Sequence, residues 1–320
     1  MLYRRRLSLF LIISLSLIGC KSRDERGAAL QAALQKSIVK PAKIGSMTVI
    51  GETDLTDNRN VAAGIPEDND GGRSTANDVI VSRKQYVVAF DGKAKVPVWT
   101  AWQLVEHDVG SIEHSEQFEG DEILNTFIEA NNKESGLVPA DYDDTCFDRG
   151  HQTPSGDRSN DDSDNKATYL MSNMAPQTMF LNRVIWRDFE QFNRDMVKNE
   201  HKKLQIFSGT ILKRGREKIG RNKDIDVPAS FFKISLVYEN KAATKPMGYV
   251  AVIMPNVTVD GLDPLENHRK TCAEQKNFTT GKLPNKWGPY RKTIQEIETT
   301  AGLSFPKLAK VPELRFPAAK

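Results

Sequence analysis

Ionisable side chains concentrate in residues 142–158, where they stand beside glycine and proline, a composition typical of functional loops. This stretch contains the tetrapeptide Asp148-Arg149-Gly150-His151. A neutral histidine, with an ordinary pKa of about 6.5, can take a proton from water near neutral pH. An arginine stays charged and can bind phosphate oxygens through two hydrogen bonds. The tetrapeptide therefore combines a group that can accept a proton with a group that can bind an anion.

The tetrapeptide resembles the signature of the DNA/RNA non-specific endonuclease family, a group of ββα-metal (His-Me finger) nucleases. Further blocks are similar to the family in the same order, and the resemblance covers residues 85–310. The matching blocks are residues 172–177, residues 182–186 with Glu190 and Arg194, Gly209, residues 228–233, and residues 287–291 with Ile297, Glu298 and Gly302. The resemblance implies an α+β fold with a central, mostly antiparallel sheet flanked by helices. It also implies that His151 is the general base.

The resemblance places a metal site at Asn182, through its amide oxygen, and at Glu190, through a bound water. Mg²⁺ prefers such oxygen ligands and keeps several waters, so Mg²⁺ or another divalent cation such as Mn²⁺ is expected. On an α-helix Glu190 lies about 12 Å along the axis from Asn182 and about 80° around it, on the same face. The alternatives are a helix cap for Asn182 and a solvated charge, paired with Arg194, for Glu190.

Other roles also follow from the resemblance. Arg149 is expected to stabilise charge on the reacting phosphate and Arg194 to bind substrate, with surface ion pairs as the alternative for both. Asn173 is expected to contact substrate, with a role in a turn as its alternative. Asp148 is expected to orient the loop by accepting hydrogen bonds.

The chain departs from the family between the early strands and the tetrapeptide. Members place an arginine there, followed by phenylalanine, whereas this chain has His114-Ser-Glu-Gln-Phe118 with no arginine. A lower activity or a changed substrate would follow. Neighbouring carboxylates would repel a polyanion if they lined the groove, namely Glu113, Glu116, Glu119, Asp121 and Glu122.

Several segments have the periodicity of regular elements that could position these residues. Two β-favouring runs, 86–90 and 96–105, flank Asp91-Gly92 and predict a hairpin. Residues 178–199 have the apolar spacing of a long amphipathic helix. Further strands are predicted at 204–212, 230–238 and 247–254, and a further helix at 290–300, ended by Gly302 and Pro306.

These elements predict one α+β nuclease domain over residues 79–316, since strands both precede and follow the long helix. Residues 20–78 are polar and show little sustained periodicity. They predict a tether with some local order.

The N-terminus predicts export. Arg4, Arg5 and Arg6 precede an apolar run, residues 7–18, that is too short to span a membrane. The run ends at Cys20 and resembles the bacterial lipobox, in which cleavage leaves a lipidated cysteine. Residues 1–19 are thus interpreted as a lipoprotein signal peptide, with an ordinary secretory signal and an incidental cysteine as the alternative.

Lipidation of Cys20 would anchor the protein to a bacterial membrane without spanning it. Lys21 follows in place of the aspartate associated with inner-membrane retention, which favours the outer membrane. The domain would then lie in the periplasm or at the cell surface.

The composition is that of a globular protein, with 39% hydrophobic and 27% charged residues. Removing the leader removes Arg4, Arg5 and Arg6, which leaves 42 basic residues against 42 acidic ones. A neutral domain cannot attract nucleic acid through its overall charge, so a local basic patch must do so.

Only Cys146 and Cys272 remain besides Cys20. In an exported protein two such thiols favour a disulfide, which would tether the active loop to a distant C-terminal segment. Two buried free thiols are the alternative.

The favoured hypothesis is a lipid-anchored, sugar-non-specific endonuclease that cleaves DNA and RNA with a single metal ion. Its partners would be the phosphate backbone of nucleic acid, which needs no base readout, and a membrane; no protein partner is predicted. The alternatives are a nucleic-acid-binding protein with weak or no catalysis, a phosphodiesterase for small phosphate esters, and a structural lipoprotein.

Overall fold

A computed structural model of the 320-residue chain describes residues 42–44, 47–68, 78–113, 115, 117–131, 135–213, 215–277 and 281–315. The predicted signal peptide and Cys20 lie outside these residues. In the part of the chain described, no helix is long and apolar enough to cross a membrane.

Fourteen strands occur in the described residues. In chain order they are β1 (Ala42–Ile44), β2 (Met47–Gly51), β3 (Glu67–Asp68), β4 (Asp78–Ser82), β5 (Val87–Asp91), β6 (Val96–Leu104), β7 (Asp148–His151), β8 (Met174–Gln177), β9 (Lys203–Ile211), β10 (Lys218–Ile219), β11 (Ile225–Asp226), β12 (Ser230–Tyr238), β13 (Gly248–Pro255) and β14 (Leu303–Ser304). The α-helices are α1 (Glu122–Asn131), α2 (Asp162–Ala167), α3 (Arg187–Lys198), α4 (His268–Lys276) and α5 (Ile294–Ala301). A π-helix, Leu181–Trp186, leads directly into α3.

Eight strands form the central sheet, in the order β1-β2-β4-β5-β6-β9-β12-β13. Neighbours are antiparallel except β2 and β4, which are parallel. The predicted α+β fold with a mostly antiparallel sheet is therefore confirmed. The β5–β6 hairpin and strands β9, β12 and β13 lie within a residue or two of their predicted positions.

The sheet separates two hydrophobic clusters because successive side chains of a strand point to opposite faces. In β12, Phe231 and Val237 join one cluster, whereas Phe232 and Ile234 join the other. The first face, here called the site face, packs against residues of α1, β8, the π-helix and α3. The opposite face packs against α5 and against residues of 47–68.

The strand pair β7–β8 and the π-helix that follows form a ββα unit on the site face. Asp148 pairs with Gln177 and His151 with Met174 in antiparallel register. The tetrapeptide was expected in a loop, but it is a short strand. Helix α5 also begins later than predicted, at Ile294, because Thr293 and Glu296 form a capping box at its start.

Part of the predicted tether belongs to the fold, so the boundary at residue 79 is too late. Strand β2 pairs with β4, and Val49 and Ile50 are buried in the two clusters. Asn58 donates to the backbone oxygen of Arg83, which ties this segment to the turn after β4. The alternation of β2 is too short to stand out from the polar sequence around it.

We expect Ile50→Ala to lower the free energy of unfolding by about 2–5 kcal/mol, because it empties a buried position. Asp57→Ala, an exposed change in the same segment, should stay within about 0.5 kcal/mol. Urea unfolding followed by circular dichroism measures both. If the two variants were equally stable, this segment would be a tether and not part of the folded domain.

Candidate active site

Strand β7 presents His151 and Arg149 on the same side, since they are two residues apart. His151 is 9% exposed. Its ring packs edge-on against Tyr169, with centroids 4.9 Å apart, and 5.8 Å from the ring of Phe118. The guanidinium of Arg149 lies 5.3 Å from the same Phe118 ring. Phe118 therefore contacts both side chains, and its packing favours a fixed orientation of the His151 ring.

The segment after His151 is clamped by Asn173. The backbone N–H of Gln152 donates to the carbonyl of Asn173, and that of Thr153 donates to its Oδ1. The Nδ2 of Asn173 donates to the carbonyls of Thr153 and Thr168, at 2.9 and 2.8 Å. Asn173 is fully buried. Its predicted contact with substrate is therefore wrong, because its amide is used up in fixing the backbone next to His151.

Asp148 orients Asn182. Its Oδ2 accepts from Asn182 Nδ2 at 3.0 Å, and the carboxylate also accepts two hydrogen bonds from Arg183. With Nδ2 committed to Asp148, Oδ1 of Asn182 is the atom left to bind a cation. Asn182 is the second residue of the π-helix and its backbone N–H donates to the carbonyl of Thr178, so it lies within the helix and the alternative of a cap does not apply. Such π segments occur frequently at functional sites.

Glu190 pairs with Lys233 of β12 rather than with Arg194. The Lys233 ammonium donates to Glu190 Oε1 at 3.3 Å and lies 4.0 Å from the centroid of Trp186. Lys233 is completely buried. Burial raises the pKa of Glu190 and lowers that of Lys233, while each partner opposes the shift of the other. The solvated pair of Glu190 and Arg194, which was the alternative to a metal role for Glu190, is absent from the ion pairs of the described residues.

Arg149 and Arg194 each have a carboxylate partner. Arg149 donates to Asp143 at 2.8 Å and to the carbonyl of Pro139. Arg194 donates at 3.1 Å to Asp157, which is fully buried. The pairs set the position of each guanidinium, and only part of its donor set is used.

The side chains meet in one open groove of about 780 Å³. Of the predicted residues, His151, Arg149, Asn182, Glu190 and Arg194 line it, and Asn173 does not. Among the lining residues in the described part of the chain, the carboxylates are Asp148 and Glu190. Asp121 is one of the acidic residues that would repel a polyanion if they lined the groove. It is buried outside the groove and pairs with Arg83. The groove thus joins a candidate base, oxygen donors and guanidinium groups.

The donor set fits a hard divalent cation. Asn182 Oδ1 and the Glu190 carboxylate would offer oxygen donors to an ion in the groove that both residues line, and the space accommodates a hydrated ion. A thiolate and imidazole set does occur, Cys146, His268 and Cys272, but its two sulfurs are joined.

A disulfide joins Cys146 and Cys272, as the sequence favoured. It attaches the residues before β7 to helix α4. Gln275 of α4 donates to the carbonyl of Phe147 and also lines the groove. The bridge therefore holds one wall of the groove close to Asp148.

Sequence reasoning missed four charged residues of this site. Arg183 and Arg187 line the groove, Lys233 pairs with Glu190, and Asp157 pairs with Arg194. Arg183 and Arg187 are four residues apart, and Glu190 follows Arg187 by three. This spacing indicates that the three side chains share one helix face. Lys233 could have been found as the charged residue on an apolar strand face. Asp157 had no such signal, because its partner lies on another element.

A histidine on a two-stranded ribbon lines one groove with an asparagine and a glutamate of the following helix, and this arrangement fits a phosphodiester hydrolase. The chain belongs to the DNA/RNA non-specific endonuclease family, whose model matches residues 69–311. It is therefore a nuclease that hydrolyses phosphodiester bonds. Nucleases of this family use divalent metal ions.

Individual proteins agree with this assignment. The chain is 29% identical to a nuclease of Nostoc sp. over 239 residues, which are 72% of this chain and 74% of that protein. It is 26% identical to human mitochondrial endonuclease G over 196 residues, covering 58% of this chain and 62% of that protein. Among solved structures, a chain of the EndoG/EndoGI complex superposes with a TM-score of 0.58 at 20% identity, covering 81% of this chain and 94% of that one. That last likeness concerns the fold alone.

The close packing of β7 on β8 generates a prediction for Gly150. A Cβ there would overlap the buried side chain of Gln177. Gly150→Ala should therefore lower the free energy of unfolding by about 1–3 kcal/mol and reduce cleavage, because His151 is the next residue. Thermal unfolding and a cleavage assay measure the two effects.

A double-mutant cycle with Gln177→Ala tests whether overlap with the Gln177 side chain causes the destabilisation. The Gln177 amide has no hydrogen-bond partner among the described residues, so shortening it makes room for the new methyl group. The two changes together should destabilise less than the sum of the single changes. Strict additivity would show that Gln177 is not what excludes a side chain at Gly150.

Proposed function

We propose that this nuclease is a sugar-non-specific endonuclease that cleaves DNA and RNA, with His151 as general base and one Mg-type ion at Asn182. The observation that carries the proposal is the convergence of His151, Asn182 and Glu190 in a single groove with guanidinium groups. Histidine alone could serve many reactions. Together with hard oxygen donors and phosphate-binding cations, it fits attack of water on a phosphodiester.

In this mechanism His151 takes a proton from the attacking water, so that the hydroxide forms only beside the substrate. Arg149 and Arg194 bind the non-bridging phosphate oxygens and stabilise the charge that grows on them in the transition state. Their carboxylate partners, Asp143 and Asp157, hold the guanidinium groups in place before substrate arrives. Little reorganisation is then needed when charge develops.

Asn182 would bind the ion directly through Oδ1, and Glu190 would orient a water of its shell. The bound cation supplies charge stabilisation at the phosphoryl and leaving oxygens. Asp148 keeps the amide of Asn182 turned for this purpose, and Lys233 keeps the Glu190 carboxylate on the helix face that lines the groove. None of these contacts reads a base or the 2′ position of the sugar, which supports action on both DNA and RNA.

The full-length chain should cut supercoiled plasmid DNA and single-stranded RNA with Mg²⁺ and leave both intact with EDTA. His151→Ala should lower the rate by about 10²–10⁴-fold, because the general base is lost. Asn182→Ala should raise the Mg²⁺ concentration needed for half-maximal rate. Gel electrophoresis over time, repeated across Mg²⁺ concentrations, measures these effects.

His201→Ala is the matched control, since His201 is exposed and pairs with Glu106 away from the groove. It should cut like the unmodified chain. Cutting retained by His151→Ala would remove the assignment of the base. Binding without cutting by the unmodified chain would favour a nucleic-acid-binding protein, and cleavage of small diesters alone would favour a phosphodiesterase.

We further propose that the nuclease is exported and anchored through lipid on Cys20, with the outer membrane favoured. The support is the sequence of residues 1–21. The order of basic residues, apolar run and cysteine matches a lipoprotein leader, and one anchor of this kind does not span the bilayer.

Intact-mass spectrometry of the mature protein from cells tests the anchor. The unmodified chain should start at a lipid-modified Cys20, and the lipid-modified form should be missing from Cys20→Ser. The Cys272→Ser variant, whose cysteine lies far from the leader, should keep the lipid. An identical mature mass for Cys20→Ser and the parent, apart from the substituted atom, would exclude lipidation.

A further inference from the structure

Four arginines line the groove, and three of them are neutralised by a carboxylate. Arg149 pairs with Asp143 at 2.8 Å, Arg183 with Asp148 at 2.7 Å, and Arg194 with Asp157 at 3.1 Å. The fourth is Arg187. Its guanidinium makes no hydrogen bond or ion pair within the described ranges of the chain.

Arg187 is the first residue of α3 and its side chain is exposed. His151, by contrast, is nearly buried, and the side chains of Arg149 and Arg194 are 27% and 15% exposed. Arg187 therefore lies at the rim of the groove, while His151, Arg149 and Arg194 lie deeper.

Neither nearby carboxylate of the helix pairs with Arg187. Glu190, three residues later, pairs with Lys233. The neighbouring carboxylate, Asp188, is already taken by Lys286 and by the backbone N–H of Trp287. The guanidinium of Arg187 has no carboxylate partner that would stabilise the helix, so binding of a ligand explains its presence better.

The remaining charges of the groove cancel in pairs, since Glu190 is balanced by Lys233. Arg187 is thus the positive charge left over among the described lining residues. Without residues 1–19 the chain has 42 basic and 42 acidic residues, so it needs such a local charge to attract a polyanion. The flat guanidinium binds a phosphate diester through two parallel hydrogen bonds.

We propose that Arg187 binds a phosphate adjacent to the one being cleaved and thereby makes the site select nucleic-acid chains over small phosphodiesters. The inference rests on the proposed nuclease mechanism for the groove. Its rim position keeps Arg187 away from the reacting phosphate beside His151. A substrate with a single phosphate offers Arg187 nothing to bind, whereas an oligonucleotide always offers a flanking phosphate.

Binding without cleavage tests this first. The full-length chain in EDTA is titrated into a fluorescently labelled 20-nucleotide DNA at several salt concentrations. Arg187→Ala should weaken binding roughly tenfold at low salt. It should also reduce the slope of log affinity against log salt by about 0.7, the value of one lost contact to single-stranded phosphate. Arg187→Lys should keep most of the slope, because the charge remains.

Kinetics then locates the contact. Arg187→Ala should raise KM for the oligonucleotide about tenfold, with kcat within about a factor of two. Hydrolysis of bis(4-nitrophenyl) phosphate, which has one phosphate, should not change. Lys198→Ala is the matched control, because it removes an exposed cation from the same helix outside the groove. It should leave all of these measurements unaltered.

An unchanged salt slope for Arg187→Ala would overturn the proposal, as would an equal loss for Lys198→Ala. Equal losses on the oligonucleotide and on the small diester would place Arg187 at the reacting phosphate and overturn the flanking site. Failure of the unmodified chain to cut any substrate would reject the proposed function instead. The binding experiment would still decide whether Arg187 holds a phosphate.

Discussion

A cluster of four charges, two of them buried and two lining the groove, is the constraint on which the site depends. Lys233 and Asp157 lie on or beside the sheet, and Glu190 and Arg194 reach them from helix α3. The Nε1 of Trp102 donates to Asp157 at 2.9 Å and so adds a neutral donor to the cluster. Removing one member would leave an uncompensated buried charge, which typically costs about 3–5 kcal/mol. The helix therefore has one favourable placement on the sheet, and the groove takes its shape from it.

Trp186 connects the charge cluster to β7, the strand that contains His151. Its indole ring lies over the Lys233 ammonium, and its Nε1 donates to the carbonyl of His151. One residue thus touches both the charge cluster and β7. The Cys146–Cys272 disulfide holds the other end of β7, before Asp148. His151 is fixed from two sides by contacts that come from distant parts of the chain.

The sequence predicted the elements whose side chains follow a regular period along the chain. It did not predict contacts between residues that are far apart in the sequence. The β5–β6 hairpin and the amphipathic helix followed from alternation and from apolar spacing, which are local properties. The helical rule paired Glu190 with Arg194, but a buried carboxylate is better satisfied by a buried ammonium, and Lys233 is 43 residues away. The place of Asn182 and Glu190 on one wall was foreseen, although the intervening π-helix means that regular α-helical spacing does not apply. Residues 47–51 were missed because a five-residue strand gains its stability from β4 rather than from its own sequence.

The pairing of groove arginines with carboxylates has a consequence for recognition. A guanidinium already held by Asp143 or Asp157 loses little rotational freedom when it meets phosphate, so less binding energy is spent on ordering it. The same carboxylates cancel most of its long-range field, which leaves attraction of the polyanion to Arg187. In the proposed mechanism the groove combines short-range contacts that position the reacting phosphate with one charge, that of Arg187, that attracts the nucleic-acid chain. The family's upstream arginine is missing before Phe118, and Arg187 is a cation that lines the same groove as Phe118. Because both kinds of contact address the backbone, discrimination between base sequences has no source in these side chains.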